Sequence, residues 1–127
     1  SPLGADVRIL IVDDSRSMRL ILKRMLAEMG HDEVAEAEDG SVALAQMEAF
    51  RPELALVDWN MPVMNGLEFV SAIRESREYD KVKVMMVTSE SSPRLVYEAL
   101  KAGADEYAMK PITRDVIEEK FMLLGLS

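Results

Sequence analysis

Apolar residues along this chain gather in five short blocks, separated by longer stretches in which they recur every three or four positions. The blocks are Val7–Val12 (VRILIV), Glu33–Ala37 (EVAEA), Leu54–Asp58 (LALVD), Val82–Thr88 (VKVMMVT) and Glu106–Met109 (EYAM). The first, third and fourth are almost continuously apolar, as strands are when a parallel sheet is covered on both faces. The stretches between them predict helices. Met18, Ile21, Leu22, Met25, Leu26 and Met29 share one helical face, and Gly30 supplies a stop. The methionines there read as core filler. Gly40–Phe50, Leu67–Ser76, Pro93–Ala102 and Arg114–Leu124 predict four further helices, with Ser92 ahead of Pro93 and Thr113 ahead of Arg114 as caps. Strand and helix alternate throughout, which predicts an α/β, doubly wound, open parallel sheet in a single domain over residues 7–126. Residues 1–6 (SPLGAD) are expected to be a disordered or engineered leader outside that domain.

Composition narrows the function. At 127 residues and 49% hydrophobic content, the chain suits one domain with a real core. A formal net charge of −8 argues against nucleic acid and is compatible with a cation or a basic protein patch. The absence of cysteine and the single histidine, His31, exclude disulfides and make zinc or a histidine-dependent triad a poor fit. No apolar run approaches the roughly 20 residues that span a bilayer, and no signal-peptide pattern opens the chain. A soluble, cytoplasmic protein without membrane contact is expected.

Ligands of doubly wound sheets gather at the carboxyl ends of the strands. There the chain places Asp13 and Asp14 after the first block, Asp58 at the end of the third, Thr88 and Ser89 at the end of the fourth, and Lys110 after the fifth. Singly, each has an ordinary structural role: acidic residues at a helix start, a strand-end hydroxyl, a surface lysine. Together they crowd three carboxylates, and two such charges about 4 Å apart repel by roughly 4 kcal/mol at an effective dielectric near 20. A cation is required. Hard oxygen donors select Mg²⁺ or a similar ion, and Lys110 is a second compensating charge. Glu36, Glu38 and Asp39 read as a solvated loop face.

The segments VDDSRSMR, AEDG, DWNMP, NGLE, VTSE, AGADEY and KP, in this order, resemble the response-regulator receiver domain, and within it the single-domain chemotaxis regulators. The resemblance covers Val7 to Leu124 and implies a flavodoxin-like (βα)5 fold with strand order 2-1-3-4-5. It implies that Asp58 accepts a phosphoryl group from the phosphohistidine of a histidine kinase or phosphotransfer protein. Mg²⁺, or Mn²⁺ in its place, would be held by Asp14 directly, by Asp13 through water, by Asp58 and by the backbone carbonyl of Asn60. Lys110 and Thr88 would contact the phosphoryl oxygens, and Thr88 and Tyr107 would form the switch. Asn60 and Glu90 would tune the lifetime of the phosphoryl group. Trp59 would sit beside the site, and the Lys110–Pro111 bond would be cis. The output partner would bind a surface made by the fourth helix, fifth strand and fifth helix of a monomer that is a phosphoacceptor rather than an enzyme.

Ser89 stands where the family prefers a smaller residue, and Asn65 where an acidic one is usual. Two alternatives share parts of this pattern. One is the same module excised from a larger transcriptional regulator. The other is a haloacid-dehalogenase-type phosphatase, whose second aspartate would fall where Ser15 stands. A flavodoxin-like nucleotide binder lacks support, because no glycine-rich loop follows the first block.

Overall fold

The computed structural model describes residues 7–126, so the expected leader at 1–6 lies outside the described residues. Strands β1 (Ile9–Val12), β2 (Val34–Ala37), β3 (Leu54–Val57), β4 (Lys83–Thr88) and β5 (Glu106–Met109) alternate with helices α1 (Arg16–Glu28), α2 (Gly40–Phe50), α3 (Gly66–Arg74), α4 (Pro93–Ala102) and α5 (Arg114–Leu123). All neighbours pair in parallel, in the order β2-β1-β3-β4-β5. The chain leaves β1 toward β2 and later returns to its other side as β3, which opens a crevice at the carboxyl ends of β1 and β3.

The period of two along each strand divides the core. Leu10, Val12, Ala55, Val57, Val84 and Met86 face one side, where Ala43 and Met47 of α2, Phe69, Val70 and Ile73 of α3 and Ala99 of α4 cover them. Ile9, Ile11, Leu54, Leu56, Met85 and Val87 face the other, against Leu22 and Leu26 of α1 and Ile117 and Phe121 of α5. Met18, Met25 and Met29 pack at the edge of this second cluster as filler. Ile21 departs from the expected face: it is 46% exposed, because the sheet is met mainly by the Leu22–Leu26 stripe.

The helix ends follow local chemistry. Gly30 takes φ +92, which L side chains rarely adopt, and lets its own N–H reach Ala27 O at 3.0 Å and that of His31 reach Leu26 O at 2.8 Å. His31 is thereby carried inward, with its ring 5.4 Å from that of Phe121. Asn65 and Glu68 cap α3 reciprocally, so that helix begins at Gly66, one residue earlier than expected. It ends at Arg74, and a short 3₁₀ turn at Arg77–Tyr79, unforeseen in the sequence, leads into β4. Thr113 caps α5 by accepting from Val116 N–H at 3.3 Å, but the Ser92 hydroxyl makes no cap bond to α4.

Glu36 and Asp39 correct the expectation of a solvated face, while Glu38 is exposed as expected. Glu36 lies within β2, opposite Ile11, and pairs with Arg19 at 3.0 Å and Lys23 at 3.4 Å. Asp39 is buried as the N-cap of α2, accepting from Ser41 and Val42 N–H at 2.7 and 3.0 Å. At the amino ends of β4 and β5, the Arg74 guanidinium donates to the carbonyls of Gly103, Tyr79 and Val82 and to Asp105, at 2.7 to 3.0 Å. Among the described residues, no helix is long and apolar enough to cross a membrane.

Candidate functional site

Asp13 and Asp58 are each fixed by the strand that ends just before them. The Asp13 N–H donates to Ala37 O at 3.0 Å, extending the β1–β2 ladder by one step, and the Asp58 N–H donates to Val12 O at 2.9 Å. Ser15 caps α1 with its hydroxyl, and its N–H donates to Asp13 Oδ1 at 2.8 Å. Trp59 N–H donates to Asp58 Oδ1 at 2.7 Å, while its ring is buried in the core on the α2–α4 side. The Lys110 N–H donates to Thr88 O at 2.9 Å, and the Lys110–Pro111 bond is cis, as the resemblance implied. From this tether the Lys110 ammonium reaches Asp13 Oδ2 at 2.9 Å and Asp58 Oδ2 at 3.2 Å. Asp14 is exposed beside them, and one oxygen from each of Asp13, Asp14 and Asp58 lies within 4.8 Å of the others.

The charges are unequal in cost. Burial pushes the Asp13 carboxyl above its usual range, and the bonds from Lys110 and Ser15 only partly offset it. Burial also disfavours the Lys110 ammonium, but its contacts with Asp13 and Asp58 outweigh that and hold it above its ordinary value. Between the ordinary Asp value of 3.8 and the raised one, the native state binds more protons than the unfolded state, so this group makes stability fall as pH rises. Above both values, the ionised Asp13 remains a net cost to the metal-free fold. Asp13→Asn is therefore expected to stabilise the metal-free protein at neutral pH. The advantage should shrink toward acid pH. Chemical denaturation across pH in the presence of chelator measures it, and a destabilised variant at neutral pH would refute it.

A second set of residues leads outward from the carboxylates. The Asn60 side-chain amide donates to the Glu90 carboxylate at 2.5 Å across the mouth of the site. Glu90 N–H donates to the hydroxyl of the fully buried Thr88 at 3.3 Å, and the Tyr107 hydroxyl donates to Glu90 O at 2.6 Å. The Tyr107 ring is half-buried, so its hydroxyl is engaged rather than simply wet. Asp14, Asn60, Met61, Pro62 and Asn65 border an open groove of about 340 Å³ beside the carboxylates.

All eight site residues expected from the sequence thus fall at one end of the sheet. Asp13, Asp14, Asp58 and Lys110 come together directly, and Asn60, Glu90, Thr88 and Tyr107 form the chain leading away. Two further residues, each inside a segment that carries the resemblance, were given no role by the sequence. Gly66 N–H donates to Trp59 O at 2.9 Å, and a Cβ there would lie 2.1 Å from Asp58 O. Arg19 donates to Asp13 O at 2.7 Å from the second turn of α1.

The family described as "Response regulator receiver domain" matches residues 9–122. A Campylobacter jejuni protein named "Chemotaxis protein CheY homolog" is 44% identical over 117 residues, covering 90% of this chain and 88% of that protein. Among solved structures, Vibrio cholerae chemotaxis protein CheY4 superposes with a TM-score of 0.86 at 35% identity, covering 93% of this chain and 98% of its own. The CheX-CheY-BeF3-Mg²⁺ complex from Borrelia burgdorferi holds a chain with a TM-score of 0.88 at 25% identity, over 95% of this chain and 90% of that one.

Proposed function

Because the chain belongs to the response regulator receiver domain family, as a two-component response regulator of the chemotaxis type, we propose that its Asp58 accepts a phosphoryl group from a histidine kinase or phosphotransfer protein. The observation that carries this reading is the Lys110 ammonium lying between Asp13 and Asp58 with Asp14 alongside. Residues 7–126 are the receiver domain on this reading.

The donor set fits Mg²⁺: hard oxygens within one small radius, carrying more negative charge than Lys110 neutralises. Asp13, Asp14, Asp58 and the Asn60 backbone carbonyl would hold it. When bound, Mg²⁺ supplies charge neutralisation for the incoming phosphoryl group. The rest is the work of this chain. An Asp58 oxygen attacks phosphorus, an O–P bond forms as the P–N bond to the donor histidine breaks, and that imidazole leaves with the electron pair and takes up a proton. Lys110, already beside Asp58 Oδ2, turns to the phosphoryl oxygens, and Thr88 donates its hydroxyl to one of them. Positioning and charge are what such a transfer needs. Asn60 and Glu90, bonded across the mouth, control water's access and hence the lifetime of the phosphoryl group.

Incubating the protein with a small phosphodonor and Mg²⁺ should add one phosphate by intact mass, and chelation should prevent it. Stoichiometric labelling in chelator would refute the metal requirement. BeF3 and Mg²⁺ are present in the Borrelia complex, and the same pair is the natural probe of switching in this chain. Movement of Thr88 toward the phosphoryl group would release its bond with Glu90 N–H and so change the loop that holds the Tyr107 hydroxyl. The α4-β5-α5 face, where the output partner binds, is reshaped as a result. Phosphate and partner must then favour the same arrangement and strengthen each other. In protein carrying fluorotyrosine at its three tyrosines, BeF3 with Mg²⁺ should shift the ¹⁹F signal of Tyr107, and Thr88→Ala should remove most of that shift. A full shift in Thr88→Ala would show that the coupling runs elsewhere.

A further inference from the structure

Arg19 lies one turn into α1, its side chain only 15% exposed, and it touches the site through the backbone rather than through a carboxylate. One guanidinium nitrogen donates to Asp13 O at 2.7 Å, and another donates to Glu36 Oε1 at 3.0 Å. Glu36 is itself held: it sits in β2 opposite Ile11, receives Lys23 at 3.4 Å, and its carbonyl accepts from the Gln46 amide at 3.1 Å. The carbonyl that Arg19 grips belongs to the peptide joining Asp13 to Asp14. The Asp13 N–H is fixed by Ala37 O and its carboxylate by Ser15 and Lys110. Among the described residues, the exposed Asp14 makes no comparable set of fixed contacts, so its placement depends on the plane of that peptide.

We propose that Arg19, oriented by Glu36, is a positioning residue that sets the Asp13–Asp14 peptide and thereby the affinity of the acidic pocket for a divalent cation. The inference rests on the reading of this pocket as a Mg²⁺ site. A planar fork with donors on separate nitrogens can bridge the two acceptors at once, which a lysine ammonium does with less directional control. Groups outside the ligand shell that orient ligands commonly alter metal affinity by about tenfold or more.

The sign of the effect separates positioning from plain electrostatics. Arg19 is a cation near a cation site, so its charge alone weakens Mg²⁺ binding, and removing it should tighten binding if charge were its only role. Positioning predicts the opposite.

The test is calorimetric titration of Mg²⁺ into wild type, Arg19→Met and Arg19→Lys, with Trp59 emission of the metal-free proteins and denaturant melts confirming the fold. Wild type that binds no Mg²⁺ fails the functional reading itself. Given wild-type binding, Arg19→Met is expected to bind about tenfold more weakly, and Arg19→Lys, which keeps the charge and loses the fork, about threefold more weakly. Should Arg19→Met not fold, Arg19→Lys decides alone, since a pure charge effect leaves it unchanged. Affinity equal to or tighter than wild type in the variants that fold overturns the proposal.

Discussion

Asp58→Asn is expected to fold, to keep Trp59 in place and to take up no phosphate from a small phosphodonor. Asparagine has the size of aspartate, and its carbonyl oxygen can still accept the Trp59 N–H that Asp58 Oδ1 accepts at 2.7 Å. Lys110 retains its closer partner, Asp13, at 2.9 Å. What is lost, on the proposed reading, is the nucleophile: the amide oxygen carries no charge and the amide nitrogen no available pair, so the O–P bond is not expected to form. The phosphorylation rate should fall on the order of a thousandfold or more, read as the disappearance of the phosphate adduct by intact mass. Asp13 and Asp14 do not rescue it on this account. Asp13 is 2% exposed at its side chain and bonded at both oxygens, and Asp14 lacks the lysine contact. Undiminished labelling of Asp58→Asn would overturn the assignment of the acceptor.

Gly66→Ala is expected to damage the fold and the site together, although Gly66 carries no chemistry. A Cβ at this position would lie 2.1 Å from Asp58 O, 3.0 Å from Asp58 C and 3.1 Å from Trp59 Cα. All three are backbone atoms, so no side-chain rotation relieves the clash. The loop cannot swing away cheaply, because Gly66 N–H is bonded to Trp59 O at 2.9 Å and the Asn65–Glu68 capping box anchors the start of α3. The expected loss is about 3 kcal/mol, the upper range for overpacking a well-filled interior, with phosphorylation and Mg²⁺ binding weakened at temperatures where the variant remains folded. Urea denaturation measures the first and calorimetry the second. A variant with unchanged stability would mean that the loop has room the structure does not show.

How legible the molecule was from its residues depends on whether a feature leaves a local trace. Asp13, Asp58 and Thr88 were visible because each follows an apolar run, and a polar group at a strand end stands out from the run before it. Lys110 was visible because it follows the last strand and precedes Pro111. The sheet order came from resemblance, since short apolar runs do not specify their neighbours. Glu36 was misread because β2 is an edge strand, partly exposed along most of its length, so its polar residue looked like loop. Its partners Arg19 and Lys23 lie 17 and 13 positions away, and an ion pair between a helix and a strand has no periodic signature. Gly66 stands out in the sequence only within the NGLE segment, because the close approach that demands a glycine involves Asp58, eight residues earlier. Ile21 satisfied the helical spacing but stands at the margin of the stripe, where the periodic pattern blurs into solvent.

The Arg74 clamp makes the two poles of the sheet mechanically unlike. One guanidinium ties the end of α3, the 3₁₀ turn, the segment entering β4, the end of α4 and the residue before β5 into one knot. At the opposite pole, the polar bonds joining the loop after β4 to its surroundings run mainly through Glu90, to Asn60, Thr88 and Tyr107. The loop after β4 is therefore the loosely tied part of the sheet's carboxyl end, where Lys110 holds β1 and β3 together through Asp13 and Asp58. On the proposed reading, a displacement begun at Thr88 would be taken up in the loop beyond β4 rather than in the Arg74 knot, since segments with few polar ties open at low cost and knotted ones do not. On the same reading, a partner that discriminates two states would be expected to contact the loop after β4 rather than the Arg74 knot.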